Sequence, residues 1–194
     1  RKAGFIRQIS SQMMPMVQRV TPNTVGALQA YLQDVETFAS LEVQTEKTVA
    51  TEEYNIHTLC EDIVNAVRAS LPADLVVSVS APSTRFRFDE QTVHEIMQYI
   101  LRATVQQEGT QKLQVEFKKR GAHQGSFILT NYGGSLTDEQ RDSIFVAFQP
   151  DHCPGDESGL GYPICALRAK QMGGELLLDN EFRKGTRFVL KVEE

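Results

Sequence analysis

The chain has 194 residues, 41% of them hydrophobic and 23% charged, and a formal net charge of -5. This length allows one domain and an appendage, and the composition predicts a globular protein. The negative charge argues against binding to nucleic acid or to an anionic membrane surface. No apolar run is long enough to cross a bilayer and no signal peptide is present, so we expect no membrane contact by this chain.

The three cysteines are far apart in the sequence and odd in number, which fits a reduced, cytoplasmic setting. Because the first residue is Arg1 rather than Met, we expect the chain to be a piece of a longer protein, either membrane-anchored or multidomain.

Residues 1–43 are predicted to form a helical hairpin. Apolar residues recur at steps of three and four in each half, which is the spacing of an amphipathic helix. The two stripes are Ile6, Ile9, Met13, Met16 and Val20, and then Val25, Leu28, Leu32 and Val35. Thr21 is the predicted N-cap of the second helix and Pro22 its first residue. A second copy of the chain can cover the exposed stripe in a four-helix bundle; the alternative is that the hairpin packs on the following domain.

A polar linker at residues 44–56 leads into a second domain at residues 57–194. The pattern of apolar residues there predicts a mixture of helices and strands. In chain order these are a helix through 59–67, strands at 75–80 and 85–88, a helix at 90–107 with Asp89 as its N-cap, and strands at 113–117 and 126–130 joined by a turn at 121–125.

The stretch from Ser158 to Phe188 is the most informative part of the sequence. The turn Gly159-Leu160-Gly161 opens a predicted helix, and Gly173-Gly174 and two predicted strands follow. Backbone N–H groups at a helix N-terminus, with no side chains in the way, suit an anion. Gly-x-Gly alone is weak evidence, but the full order of glycines, helix and strands is more specific. It resembles the last nucleotide-binding box of the GHKL ATPase superfamily, in the form found in sensor histidine kinases.

The resemblance implies an α+β protein. A hairpin that dimerises as a four-helix bundle precedes a GHKL or Bergerat-type α/β sandwich, with one mixed sheet under a layer of helices. The positions that would face a nucleotide are Gln98, Arg102, Asn131, Gly133, Gly159, Leu160, Gly161 and Thr186. Asn131 stands where the family has an aspartate that accepts a hydrogen bond from the adenine amino group. It keeps an acceptor oxygen but loses the charge.

The resemblance also implies that Mg²⁺ binding is altered. In the family, an asparagine on the helix at 90–107 holds the Mg²⁺ that bridges the ATP phosphates, and this position falls at Arg102. A hard cation prefers oxygen ligands, which a guanidinium does not offer. We therefore expect the Mg²⁺ site to be broken and ATP binding to be weak or absent.

The segment from Gln149 to Ser158 corresponds to the family's flexible ATP lid, and here it is short and polar. It contains the cluster Asp151-His152-Cys153, with Asp156 nearby. The spacing of these residues matches no metal-ligand pattern, so we predict no metal site in this segment.

The first helix resembles the family's phosphoacceptor motif, but the motif histidine is replaced. Counting forward from Phe5 places the phosphoacceptor at Ser11, and counting back from Pro15 places it at Ser10. The neighbouring acid, which helps as a base in the family, becomes Gln12. Imidazole is a good nucleophile near neutral pH and an unactivated serine hydroxyl is not. The sequence therefore predicts no catalytic residue on this helix.

Two functions compete. The favoured one is a degenerate histidine kinase core that forms a homodimer and serves as a signalling or scaffold module, with a response regulator or a partner kinase as candidate partners. The alternative is an active ATP-dependent protein-histidine kinase that phosphorylates a response regulator through unusual residues. A different GHKL ATPase is a weaker third interpretation, because the N-terminal hairpin argues against it.

Overall fold

The structure is a computed structural model of the chain. It describes residues 2–17, 22–44, 52–149, 151, 155, 156 and 158–194. The helices are α1 Lys2–Val17, α2 Pro22–Val43, α3 Ile56–Arg68, α4 Glu90–Val105, α5 Asp138–Ser143 and α6 Gly161–Gln171. The strands are β1 Glu53–Asn55, β2 Val76–Ser80, β3 Arg85–Arg87, β4 Lys112–Lys119, β5 Gln124–Tyr132, β6 Glu175–Leu178 and β7 Gly185–Glu193.

Five of these strands form one mixed sheet in the order β2-β4-β5-β7-β6. The β2–β4 pair is parallel, and the other three pairs are antiparallel. Helices α3, α4 and α6 contact the sheet, and α4 also contacts both α3 and α6. The predicted α+β class and the α/β sandwich with a mixed sheet are confirmed.

A second, two-stranded sheet is formed by β1 and β3, which pair antiparallel with Tyr54 opposite Phe86. Residues Glu53–Asn55 belong to the segment 44–56 that was predicted to be a linker, so that segment contains a short strand. The Tyr54 ring packs 5.9 Å from the Phe88 ring, which gives this short strand an apolar anchor. Polar composition alone did not indicate that contact.

The core lies between the sheet and the helices, as the apolar periodicity predicted. On α3, the buried residues are Ile56, Leu59, Cys60, Ile63, Val64 and Val67, which is the predicted stripe extended by one residue. On α4, Asp89 is the N-cap, and its Oδ1 accepts a hydrogen bond from the Thr92 N–H at 3.0 Å. A cap of this kind stabilises a helix by about 1 kcal/mol.

The hairpin formed by α1 and α2 packs on the rest of the chain through α6. Tyr31, Leu160 and Ile164 form a buried group, here called the docking cluster, and Ile9, Met13 and Val35 pack against it. Val25 and Leu32, at 43% and 42% exposure, face away from it. The predicted stripe on α2 is thus divided between a packed side and an exposed side. Thr21 and Val20 lie outside the described residues, as do the side chains of Ile6 and Met16.

No helix among the described residues combines the length and the apolar character needed to cross a bilayer.

Candidate functional site

Residues 155, 156 and 158–161, here called the glycine loop, lead directly into α6. Gly155 and Gly159 have φ angles of +79° and +65°, which favour glycine. A Cβ on Gly155 would overlap the backbone of Ala103, and one on Gly161 would overlap the hydroxyl of Tyr99. The predicted glycine turn and the helix after it are therefore present, and close contact with α4 requires glycine at two positions.

The carboxylate of Asp156 accepts hydrogen bonds from the first N–H groups of this helix. Its Oδ2 accepts from the Gly161 N–H at 2.7 Å and from the Tyr162 N–H at 3.3 Å. Its Oδ1 accepts from the Gly159 N–H at 3.0 Å and from the Ser158 hydroxyl at 2.9 Å. Asp156 is only 6% exposed. The donors that a helix N-terminus offers to an anion are thus used by an anion of the chain itself.

The glycine loop also contacts the hairpin. Burial raises the pKa of the Asp34 carboxyl on α2, a hydrogen bond with the Ser158 hydroxyl partly offsets that rise, and the charge of Asp156 adds to it. A cavity of about 240 Å³ lies here, lined by Tyr31, Asp34, Tyr99 and Asp156 among others. Burial, and secondarily the Asp156 charge, raise the pKa of Tyr99, so the phenol stays protonated beside the carboxylate.

Phe148 joins the hairpin to the glycine loop from a second side. It has a positive φ of 65°, which is unusual for a residue with a side chain. Its N–H donates to the Gly159 carbonyl at 2.9 Å, and its ring packs 5.8 Å from that of Phe38 on α2. The Gln12 amide on α1 donates to its carbonyl at 3.5 Å.

Asn131, at the predicted adenine position, is fully buried at the end of β5. Its Nδ2 donates to the Thr104 carbonyl at 3.1 Å, to Gln107 Oε1 at 3.2 Å and to Thr110 Oγ1 at 2.9 Å. Among the described residues, its Oδ1 has no hydrogen-bond partner, and neither does Gln107 Nε2. The amide therefore fixes the segment after α4 and keeps one buried acceptor free.

Gly133 and Thr186 are two further predicted site residues, and both lie beside Asn131. Thr186 is the β7 partner of Asn131, and its hydroxyl donates to the Gly134 carbonyl at 3.2 Å. Gly133 has a φ of +90°, and a Cβ there would overlap the Gly109 carbonyl oxygen.

A match to a protein-family model identifies the family of this chain. Residues 87–194, more than half of the chain, match the family described as "Histidine kinase-, DNA gyrase B-, and HSP90-like ATPase". The chain belongs to this ATPase family. The match confirms the GHKL-type ATP-binding domain that the glycine-rich box indicated. No curated protein matches the sequence.

Solved structures of histidine kinases share the fold of this family member. The Acinetobacter baumannii histidine kinase AdeS matches with a TM-score of 0.71 and 16% identity, covering 97% of this chain and 94% of that one. The mycobacterial sensor histidine kinase MprB matches at 0.62 and 18% identity, over 75% and 97%. Full-length ShkA, in complex with AMPPNP, matches at 0.69 and 17% identity, over 90% and 39%.

Arg102 and Gln98 both lie on α4. The Arg102 side chain is exposed, and it makes no recorded hydrogen bond or ion pair with any residue that the structure describes. Glu95, on the same helix, is paired with Arg168. Gln98 lies 3.4 Å from a ring nitrogen of His94. No group of three or more potential metal ligands occurs in the described part of the chain.

The predicted phosphoacceptor positions lie on α1. Ser10 and Ser11 are both exposed, and the Ser11 hydroxyl donates to the Gln8 carbonyl within its own helix at 2.8 Å. Gln12 points instead toward Phe148. In the described part of the chain, the Ser11 hydroxyl thus donates to a backbone carbonyl and not to a side-chain base.

Sequence reasoning missed the role of Asp156, which it considered only as a metal ligand. The sequence did contain a signal for this role. Leu160, at the N-cap position of α6, has no side chain that can accept a hydrogen bond, and Asp156 stands four residues before it. Asp and Asn are preferred near helix N-termini because their oxygens accept from the first N–H groups.

Proposed function

We propose that this ATPase-family chain is a catalytically degenerate histidine kinase core that forms a homodimer and acts as a signalling or scaffold module in the cytoplasm. The observation that carries the proposal is the lack of a histidine anywhere in residues 1–56, which include α1. Histidine kinase chemistry needs that nucleophile, and the loss of interdependent catalytic parts removes the activity rather than slowing it.

The residues present do not fit ATP with Mg²⁺. At the predicted adenine position, Asn131 Oδ1 has no hydrogen-bond partner among the described residues and suits the adenine amino group. At the phosphate end, the Gly159, Gly161 and Tyr162 N–H groups already donate to Asp156. Arg102 offers no oxygen to a cation. We therefore derive no phosphoryl-transfer step.

A homodimer is supported by the exposed apolar side chains of the hairpin. Met14 on α1 is 59% exposed, and Val43 is 78% exposed on α2, the helix that also carries the exposed Val25 and Leu32. A second hairpin can cover these residues in a four-helix bundle. A response regulator or a partner kinase is the expected further partner of such a module.

The alternative, an active protein-histidine kinase, is favoured by one observation. Asn131 keeps a buried acceptor oxygen where an adenine amino group would bind. The active kinase would carry phosphate on a histidine of the chain, whereas the degenerate core would carry none.

The test is incubation of the full chain with labelled ATP and Mg²⁺ or Mn²⁺. We expect no acid-labile, alkali-stable phosphate on the wild-type chain. The double variant Ser11→His, Gln12→Glu restores the motif residues, and we expect it to stay unlabelled as well, because the metal position is still Arg102. Label on wild-type His57, His94, His123 or His152 would establish the active kinase instead.

A further inference from the structure

The Asp156 carboxylate holds the glycine loop and the first turn of α6 together. It accepts from three backbone N–H groups and from the Ser158 hydroxyl, and the Ser158 oxygen accepts in turn from the Leu160 N–H at 3.2 Å. Hydrogen bonds to a charged acceptor are stronger than those between neutral groups. The loop is therefore ordered around an anion without any ligand.

A nucleotide phosphate would need the same donors. Gly159 and Gly161 are the loop residues whose N–H groups were predicted to face phosphate, and both donate to Asp156 at 3.0 Å or less. A second anion at these donors would lie within a few ångströms of a buried carboxylate, where like charges repel strongly. The carboxylate and a phosphate are mutually exclusive here.

The same carboxylate is connected to the hairpin. Ser158 interacts with Asp156 and with Asp34 of α2, although its hydroxyl carries only one proton. Next to it, Leu160 packs with Tyr31 in the docking cluster, and Gly159 accepts from Phe148, which contacts both hairpin helices. A change in the loop is thereby transmitted to α1 and α2.

We propose that Asp156 is an intramolecular substitute for a nucleotide phosphate, which closes the glycine loop and holds the hairpin against the ATP-binding domain without a nucleotide. This goes beyond the proposed function, since a kinase without activity does not require a closed loop. A failure of the autophosphorylation prediction would therefore leave this proposal standing, and a failure of the experiment below would leave the proposed function standing.

The experiment uses the full chain, inorganic pyrophosphate without metal as the probe, and the variant Asp156→Asn. Asp142→Asn is the matched control, because it removes one negative charge from an exposed position on α5. The amide resonances of Gly159, Gly161 and Tyr162 report binding. Hydrogen exchange in α2 reports docking of the hairpin.

In the wild-type chain and in Asp142→Asn, we expect pyrophosphate to leave these resonances unmoved. In Asp156→Asn, we expect them to move, with an affinity at least about tenfold higher, because the competing charge is gone. Exchange around Tyr31 and Asp34 should also become at least about tenfold faster.

Two results would overturn the proposal. Pyrophosphate that shifts Gly159 and Gly161 in the wild-type chain would show that the donors are available, and this measurement stands even if Asp156→Asn does not fold. A folded Asp156→Asn that neither binds pyrophosphate nor exchanges faster in α2 would show that the carboxylate is only a helix cap.

Discussion

Asn131 has two N–H hydrogens on Nδ2 and three acceptors within 3.2 Å, so its amide is shared among them. All three acceptors belong to the end of α4 and the segment after it, Thr104, Gln107 and Thr110. These bonds tie the last turn of α4 to the end of β5. An aspartate at this position would place a buried carboxylate oxygen against the Thr104 carbonyl, which can only accept.

We expect Asn131→Asp, which restores the residue of the resembled family, to lower the free energy of unfolding by at least about 2 kcal/mol at neutral pH. Burial and the facing Thr104 carbonyl oxygen both disfavour the charged form, so this carboxylate would have a raised pKa. A group with a raised folded pKa is destabilising above that pKa, so the loss should diminish as the pH falls through it. Denaturant unfolding at several pH values measures this.

Asn180→Asp is the matched control, because Asn180 is exposed and the chemical change is the same. We expect its effect to stay within about 0.5 kcal/mol. An Asn131→Asp chain as stable as the wild type at neutral pH would mean that the three hydrogen bonds are not present in solution.

At the residue scale, the sequence predicted that Asn131 stands at the adenine position and missed the groups to which its amide donates. Asn131 and Thr186 follow from the positions of the glycine-rich boxes. The acceptors of the Asn131 amide lie more than twenty residues earlier in the chain, so no local pattern indicated them. Asp156 was missed because its donors are backbone groups, which look the same in every sequence.

At the scale of elements, the hairpin carries two apolar faces with different partners. Tyr31 is 2% exposed and packs on Leu160 and Ile164, whereas Val25 and Leu32 lie on the exposed side. Helical periodicity predicted both helices and the stripe. It could not divide the stripe, because a heptad spacing is the same whether the partner is α6 or a second chain.

We expect Leu32→Asp to weaken the proposed homodimer by at least about tenfold in dissociation constant, because it places a charge in an apolar interface. Light scattering over a concentration series measures the change. The hairpin itself should stay docked, since Leu32 is outside the docking cluster.

Val76→Asp is the control for this variant. Val76 is 56% exposed on β2, away from the hairpin, and it gives the same change of an exposed apolar residue to a charge. Equal weakening by both variants, or a wild-type chain that is monomeric at high micromolar concentration, would contradict a dimer formed through α1 and α2.

At the scale of the molecule, the sequence predicted the order of the helices and strands except β1 and α5, and it did not predict the sheet order. Alternating apolar residues marked the strands of the sheet, and Asp89 marked the start of α4. The parallel β2–β4 pair is joined through β3 and α4, and strand pairing of this kind depends on contacts between distant residues. The family resemblance supplied a mixed sheet but not the order of its strands.

The whole molecule should also be indifferent to ATP. A ligand at ten times its dissociation constant stabilises the folded state by about 1.4 kcal/mol, which raises the Tm of a chain of this length by roughly 3–6 °C. With the N–H groups of the glycine loop bound to Asp156 and no oxygen ligand at Arg102, we expect millimolar ATP to shift the Tm by less than about 1 °C, with or without Mg²⁺.

Arg102→Ala distinguishes the ways in which this prediction can fail, with Arg85→Ala as the control for loss of an exposed cation. A stabilisation by ATP that needs no Mg²⁺ and disappears only in Arg102→Ala would mean that the guanidinium binds phosphate oxygens in place of the ion. A stabilisation that grows when Mg²⁺ is added would mean that a residue other than Arg102 holds the metal. Either result would require the Asp156 carboxylate to release the N–H groups of Gly159 and Gly161. Hydrogen exchange at Gly161 would show whether it does.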